Sequence, residues 1–343
     1  MGWKWLIGSV DANHRQAPFP NGPFESYALS DRRHERVIMA DHRVTHIRYV
    51  GLAVPDFDRE RTFLGEQWGL PQIAWDGDTA YFAAEGSREQ FVFRLRQAAE
   101  KRLDVLSFAV ADEAAVDARA SHLEAAGIRL ISKPQRVDGP GGGYGFRFFD
   151  VDGRTLEISS SVAERSAREL ARGESIPATL SHVVLHTPDL KKTVAFYHKH
   201  LGLRVSDWLG NFMCFMRCNS VHHCLAFIPG PVSFNHAAFE MRDLDEMMRG
   251  VGRLVKDNVV LGWGPGRHTA GNNTFAYFKT PGGNVLEYTA EVQRVDDSTW
   301  EPTVYEPSPQ VTDQWGTGTV FGGGPQKLGH PVLDPGLWTP PPR

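Results

Sequence analysis

The sequence predicts an α+β fold of two tandem domains, each made of paired βαβββ units whose curved mixed sheet carries helices on one side and a concavity on the other. Three observations predict it. The first is an internal repeat: Arg48-Tyr-Val-Gly-Leu-Ala-Val-Pro-Asp, then Thr62-Phe-Leu-Gly-Glu-Gln-Trp-Gly-Leu, is answered by Ser181-His-Val-Val-Leu-His-Thr-Pro-Asp, then Ala195-Phe-Tyr-His-Lys-His-Leu-Gly-Leu. The spacing holds at the far end, where Pro55 to Glu157 is 102 residues and Pro188 to Glu287 is 99. The second is the alternation within each copy of short β-prone runs with stretches of helical period. The third is strand phase, which places bulky apolar groups on one face and small or polar groups on the other.

Residues 1–41 are polar, rich in Arg, His and Pro, and without sustained periodicity, so they read as an extended N-terminal arm, either disordered or packed on a neighbouring subunit. Residues 42–165 form the first repeat. Its second helix runs from about Glu113 to Ala126, with Val116, Ala120 and Leu123 as the buried stripe and Gly127 as its end. Residues 178–295 form the second repeat. There Leu190, Val194, Tyr197 and Leu201 recur at helical spacing after an Asp189 cap, Gly202 stops the helix, and another helix spans about Asp245 to Val255. Residues 296–343 carry many Pro and Gly, the run Gly322-Gly-Gly-Pro and three Trp, and cannot form a core of their own. This tail reads as a surface wrap, with a lid over the cleft as the alternative.

The chain of 343 residues, with 41% hydrophobic content, is long enough for two cores without staples. A net charge of -4 argues against nucleic acid or an anionic membrane as principal partner, and the expected partner is a small molecule. Cys214, Cys218 and Cys224 are an odd count without a second thiolate pair, so they read as reduced structural thiols. No apolar run approaches a membrane span, and the expected location is the cytoplasm.

The second repeat holds three residues that read as one metal site: His182, His236 and Glu287. In the first run Val183 and Leu185 lie opposite His182 and Val184; in the second Phe239 and Met241 lie opposite His236 and Ala238; in the third Leu286 and Tyr288 lie opposite Glu287. A single strand histidine is ordinarily a satisfied core or surface residue. Three candidates agreeing in phase, with eight of fourteen histidines between His182 and His268, ask for a different explanation. Two His and one carboxylate with open positions suit non-haem Fe(II), and the same donors suit Mn(II). Aligned on its Pro-Asp and Gly-x3-Glu landmarks, the first repeat offers Tyr49, Val105 and Glu157 instead, and no metal is expected there.

With these residues in place, the chain resembles the type I extradiol ring-cleaving dioxygenases of the vicinal oxygen chelate (glyoxalase/bleomycin resistance) superfamily, over about residues 44–292. Further motif positions carry the likeness: His222-His223-Cys-Leu-Ala, Gly266-Arg267-His268-Thr269, and Tyr277 in Phe275-Ala-Tyr-Phe. The resemblance implies Fe(II) in the C-terminal domain on His182, His236 and Glu287, and a homo-oligomer. It implies extradiol cleavage of a substituted catechol by O2, within aromatic catabolism. It further implies that His223 is the acid-base residue, and that His268 and Tyr277 bond the substrate or its oxygenated intermediates. By phase alone His223 reads as structural, because Leu225 and Phe227 share its face. Rival readings are a glyoxalase-like isomerase, which usually calls for four protein ligands drawn from two modules where Tyr49 and Val105 spoil the other module, and a metal-free binding protein of the same fold. Trp208, Phe212, Phe215 and Trp263 read equally as pocket wall or core, and Arg204, Arg217 and Arg267 are candidates for a substrate carboxylate.

Overall fold

The computed structural model describes residues 42–342, so the expected arm at residues 1–41 lies outside the described residues. The first half contains β1 (His46–Val54), α1 (Phe57–Thr62) running on into a π-helical turn at Phe63–Trp68, β2 (Gln72–Asp76), β3 (Thr79–Phe82) and β4 (Phe93–Gln97). It continues with β5 (Arg102–Ala109), α2 (Glu113–Ala125), β6 (Gln135–Arg136), β7 (Tyr144–Phe149) and β8 (Thr155–Ser160). The second half repeats the series as β9 (Pro177–Thr187), α3 (Leu190–Leu201), β10 (Arg204–Leu209), β11 (Met213–Arg217) and β12 (Leu225–Pro229). Then come β13 (Ser233–Met241), α4 (Leu244–Lys256), β14 (Leu261–Arg267), β15 (Thr274–Lys279), β16 (Val285–Ala290) and, from the tail, β17 (Thr303–Tyr305).

The strands make two mixed sheets, ordered β2-β3-β4-β1-β5-β8-β7-β6 and β14-β15-β16-β13-β9-β12-β11-β10-β17. In each sheet the first strands of two βαβββ units, β1 with β5 and β9 with β13, pair antiparallel at the centre. The units therefore pair within a half. Helix starts follow local chemistry: Asp112, Asp189 and Asp243 accept from the backbone N–H of Ala115, Lys192 and Glu246, satisfying donors the first turn leaves free. Gly202 ends α3 with φ at 75°, a conformation that an L side chain would strain.

Strand phase places the core. Val183, Leu185, Phe239, Met241, Leu286 and Tyr288 all join one buried apolar cluster that also contains Val50, Leu52, Phe93 and Leu106 of the first half. Trp68 is fully buried at the seam, its ring 4.0 Å from Tyr288 and 5.9 Å from Phe239. Buried Glu60 ties the halves further by accepting from Thr280 Oγ1 at 2.5 Å and from the Gly282 N–H at 2.8 Å. The three cysteines are buried and free of disulfides. Among the described residues, no helix is long and apolar enough to cross a membrane.

Candidate metal centre

Three adjacent strands build the site. In the antiparallel pair, Ala238 on β13 faces His182 on β9; in the neighbouring parallel pair, Ala238 also faces Glu287 on β16. His182, Ala238 and Glu287 thus form one row across the concave face, and His236 stands one pleat along on the same face. The methyl of Ala238 is too small to fill the space between its neighbours. His182 Nε2 lies 3.3 Å and His236 Nε2 3.1 Å from Glu287 Oε2, and all three residues are buried. One donor atom from each lies within 4.8 Å of the others.

The donor set fits a divalent cation on what it lacks. His236 Nδ1 lies 2.5 Å from Asn235 Oδ1, an acceptor, so Nδ1 carries the proton and Nε2 turns a lone pair toward Glu287. Two acceptors then face each other. His236 Nε2 and both oxygens of Glu287 are buried without a hydrogen-bond partner. An arrangement of that kind is expensive unless a cation joins the atoms. Octahedral bonds of about 2.1 Å put adjacent ligand atoms about 3 Å apart, close to the separations found. Burial alone would raise the Glu287 carboxyl, but the imidazoles of His182 and His236 hold it at about 2. Burial lowers His236, so the ligands reach neutral pH as a carboxylate and a free imidazole base.

A fourth ligand is missing for a definable reason. His236 plus two residues is Ala238, opposite Glu287; His182 plus two residues is Val184, opposite Ala226 on β12. Ala226 therefore occupies the place of Glu287 in the partner unit and offers no donor. This replaces the sequence-based expectation, which set the fourth ligand against Tyr49 and Val105 in the other half.

His223 stands beside this centre, its ring 4.3 Å from that of His182. The phase argument against it fails because β12 begins only at Leu225, and the chain bends through residues 222–224. His223 Nδ1 is 3.0 Å from His222 Nδ1, and His222 Nε2 is 2.8 Å from Asp207 Oδ2. With all three residues buried, a carboxylate at one end orders the chain: His222 Nε2–H donates to Asp207, its Nδ1 accepts from His223 Nδ1–H, and His223 Nε2 keeps a lone pair. Burial first, then the like charges of His182 and His222, push the His223 imidazole well below its ordinary range. Asp207, which also accepts from the Thr303 N–H at 2.7 Å, carried no local signal in the sequence.

Tyr277 lies directly across from Glu287 on β15. His268 Nδ1 sits 2.6 Å from the Thr312 carbonyl, which fixes its proton there, so Nε2 accepts from the Tyr277 hydroxyl at 3.0 Å. Burial, and next the charge of Glu287, push the Tyr277 phenol well above its usual range, which keeps it a donor.

A cavity of about 790 Å³ opens onto His236, His268 and Tyr277, walled by Phe212, Phe215, Phe234 and Trp263 and roofed by tail residues including Val311, Leu328 and Leu333. Trp208 instead packs against the main core. The candidate carboxylate receptors are corrected as well, since none lines this cavity. Arg204 and Arg217 pair with Asp297 at 2.6 and 2.8 Å, and Arg267 pairs with Glu291.

Residues 179–288 match the model of the Glyoxalase/Bleomycin resistance protein/Dioxygenase superfamily. The crystal structure of the Mn(II)-bound glyoxalase from Novosphingobium aromaticivorans is similar at 51% identity and a TM-score of 0.84, over 87% of this chain and 98% of that one. Metapyrocatechase 2 of Cupriavidus necator is 29% identical over 79% of this chain and 91% of its own length. The iron-dependent extradiol dioxygenase of Rhodococcus jostii strain RHA1 is 28% identical over 58% of this chain and 73% of its own length.

Proposed function

We propose, from the premise that this chain belongs to the Glyoxalase/Bleomycin resistance protein/Dioxygenase superfamily, that it opens a substituted catechol by extradiol cleavage with O2. His182, His236 and Glu287 would hold Fe(II), with Mn(II) suited to the same donors. The observation that carries the reading is the three-donor set with Ala226 where a fourth would stand, facing a large apolar cavity. A bidentate diol and a small co-substrate need that open side.

When bound, such a metal supplies the Lewis acidity that lowers the proton affinity of a chelating diol, and the redox capacity that O2 needs. The remaining work falls to the chain. His223 Nε2 is the base that takes a proton from the diol and returns it later, and its cationic form is stabilised through His222 by Asp207. Tyr277 presents its hydroxyl beside Glu287, oriented by His268. The aromatic walls and the tail roof hold a flat substrate away from bulk water.

The name of the 51% identical structure favours a second reading, a metal-dependent glyoxalase-like isomerase. Ala226 weighs against it by removing a protein ligand. The two separate in one assay: protein reconstituted anaerobically with Fe(II) or Mn(II) is given a panel of substituted catechols while O2 uptake and the yellow ring-opened product are followed. O2 consumption with yellow product is expected. Metal-loaded protein that leaves every catechol untouched, and instead isomerises a thiol adduct of an α-ketoaldehyde without O2, would overturn the dioxygenase reading.

A further inference from the structure

The N-terminal half keeps a cleft where the other half builds its metal centre. Val50 pairs with Phe93 and Gly51 with Arg94 as Val183 pairs with Leu225 and Val184 with Ala226. Arg94 therefore holds the place of Ala226, and Phe91, two residues before Phe93, holds that of His223. The rings agree with this register: Phe91 is 4.5 Å from Tyr49, the counterpart of His182. Tyr81 extends the aromatic wall, 4.9 Å from Phe91 in an edge contact. The cleft measures about 70 Å³ and is also lined by Arg48, Arg94 and Arg147. One water needs roughly 10–15 Å³ on that scale and about 30 Å³ of liquid, so the cleft holds the bulk of a single-ring carboxylate.

Charge and hydrogen bonding both ask for an anion. The cleft is lined by four guanidinium groups, Arg48, Arg94, Arg136 and Arg147, against three carboxylates, Glu89, Asp138 and Glu157. Arg94 is the least committed, reaching Asp104 at 3.4 Å while Arg96 holds the same carboxylate at 2.6 Å. Two lining residues carry buried polar atoms without a partner, Arg48 Nε and Ser159 Oγ. Such atoms require water or a ligand.

We propose that this cleft is a second binding site, for a small planar aromatic carboxylate whose ring lies against Phe91 and Tyr81 and whose carboxylate meets Arg94 and Arg147. Guanidinium groups grip carboxylates by paired hydrogen bonds, and the aromatic wall selects a flat ring over a spherical ion. The site is independent of the metal reading, because none of its residues is a candidate metal ligand.

The test titrates benzoate calorimetrically into the metal-loaded full chain and into His236→Ala, which removes a ligand of the other centre. One equivalent should bind in both. Arg94→Met should weaken binding at least tenfold with catechol turnover unchanged, and it leaves Asp104 with Arg96 and Arg102 so that folding is retained. Crystals of the unaltered protein soaked with benzoate need no variant, and density between Phe91 and Arg94 is expected. Benzoate found only at the metal centre, or nowhere, would overturn the proposal. So would loss of binding in His236→Ala, or full affinity in a folded Arg94→Met.

Discussion

In the N-terminal half the carboxylate of Glu157 accepts from Tyr49 at 2.9 Å, Ser107 at 3.0 Å and Arg147 at 2.8 Å. In the C-terminal half Glu287 occupies the same register position and has no hydrogen-bond partner on either oxygen. Tyr49 stands for His182, Val105 for His236 and Arg147 for Tyr277, as strand pairing on both sheets requires. One carboxylate is neutralised by a cation of the chain itself. The other is left for a cation from outside. The concave face of this fold thus offers a buried acidic position in each half, and a handful of facing side chains decides whether it becomes a structural ion pair or a metal site.

Exchanging the same atom in the two halves should separate these roles. Glu287→Gln is expected to reduce bound metal to background and catechol turnover on the order of a thousandfold or more, whereas Glu157→Gln should leave metal content and kcat as they were. Elemental analysis beside O2 uptake checks both, and equal metal loss in the two variants would break the comparison. Stability should respond the other way round. Burial works against the charge on Arg147, and Glu157 more than offsets this; with Glu157→Gln that guanidinium loses its counter-charge, at a cost of about 3 kcal/mol in urea denaturation. His223→Phe installs the residue that the first half carries at Phe91. It should cost on the order of a hundredfold in turnover while metal content stays at one equivalent, and Asp207→Asn should cost less, by weakening the support for His223 through His222.

The smallest effect concerns the tail segment that bridges the two halves. Asp334 accepts from the Phe234 N–H at 3.1 Å and the Leu103 N–H at 3.4 Å, and burial raises its carboxyl to about 6. The folded state then favours the neutral acid. Below the unfolded value of about 3.9 both states are protonated and nothing is lost. As pH rises from there to about 6 the unfolded chain ionises while the folded protein keeps the proton, so stability falls progressively, and above 6 the penalty is constant. Asp334→Asn should therefore gain stability over the unaltered protein across that window and hold the gain above it, by about 1–2 kcal/mol because the tail can relax. A difference that is flat from pH 4 to 8 would remove Asp334 from this role.

Much of this was legible along the chain. Local side-chain direction is set by the backbone period, so alternation alone put Val183, Phe239 and Leu286 into the core and His182, His236 and Glu287 on the opposite face. Asp189 and Gly202 announced the ends of α3 for equally local reasons, an acceptor for free N–H groups and a residue at ease with positive φ. The phase assigned to His223 does not hold, because period-two reasoning was extended past the start of a strand. Arg204, Arg217 and Arg267 were misjudged because charge was read without partners, and Asp297 and Glu291 lie far along the chain.

By itself the sequence determined the repeat, the strand faces and the three donors of the second half, since each depends on residues a few positions apart or on a repeat matching itself. Tertiary structure alone decided which residues meet across strands. That includes Ala226 in the place of a fourth ligand, Arg147 quenching Glu157, Asp207 behind His222, and the tail closing over the cavity. Period reports which way a side chain points. Register, which the chain adopts only when distant strands pair, reports what it finds there.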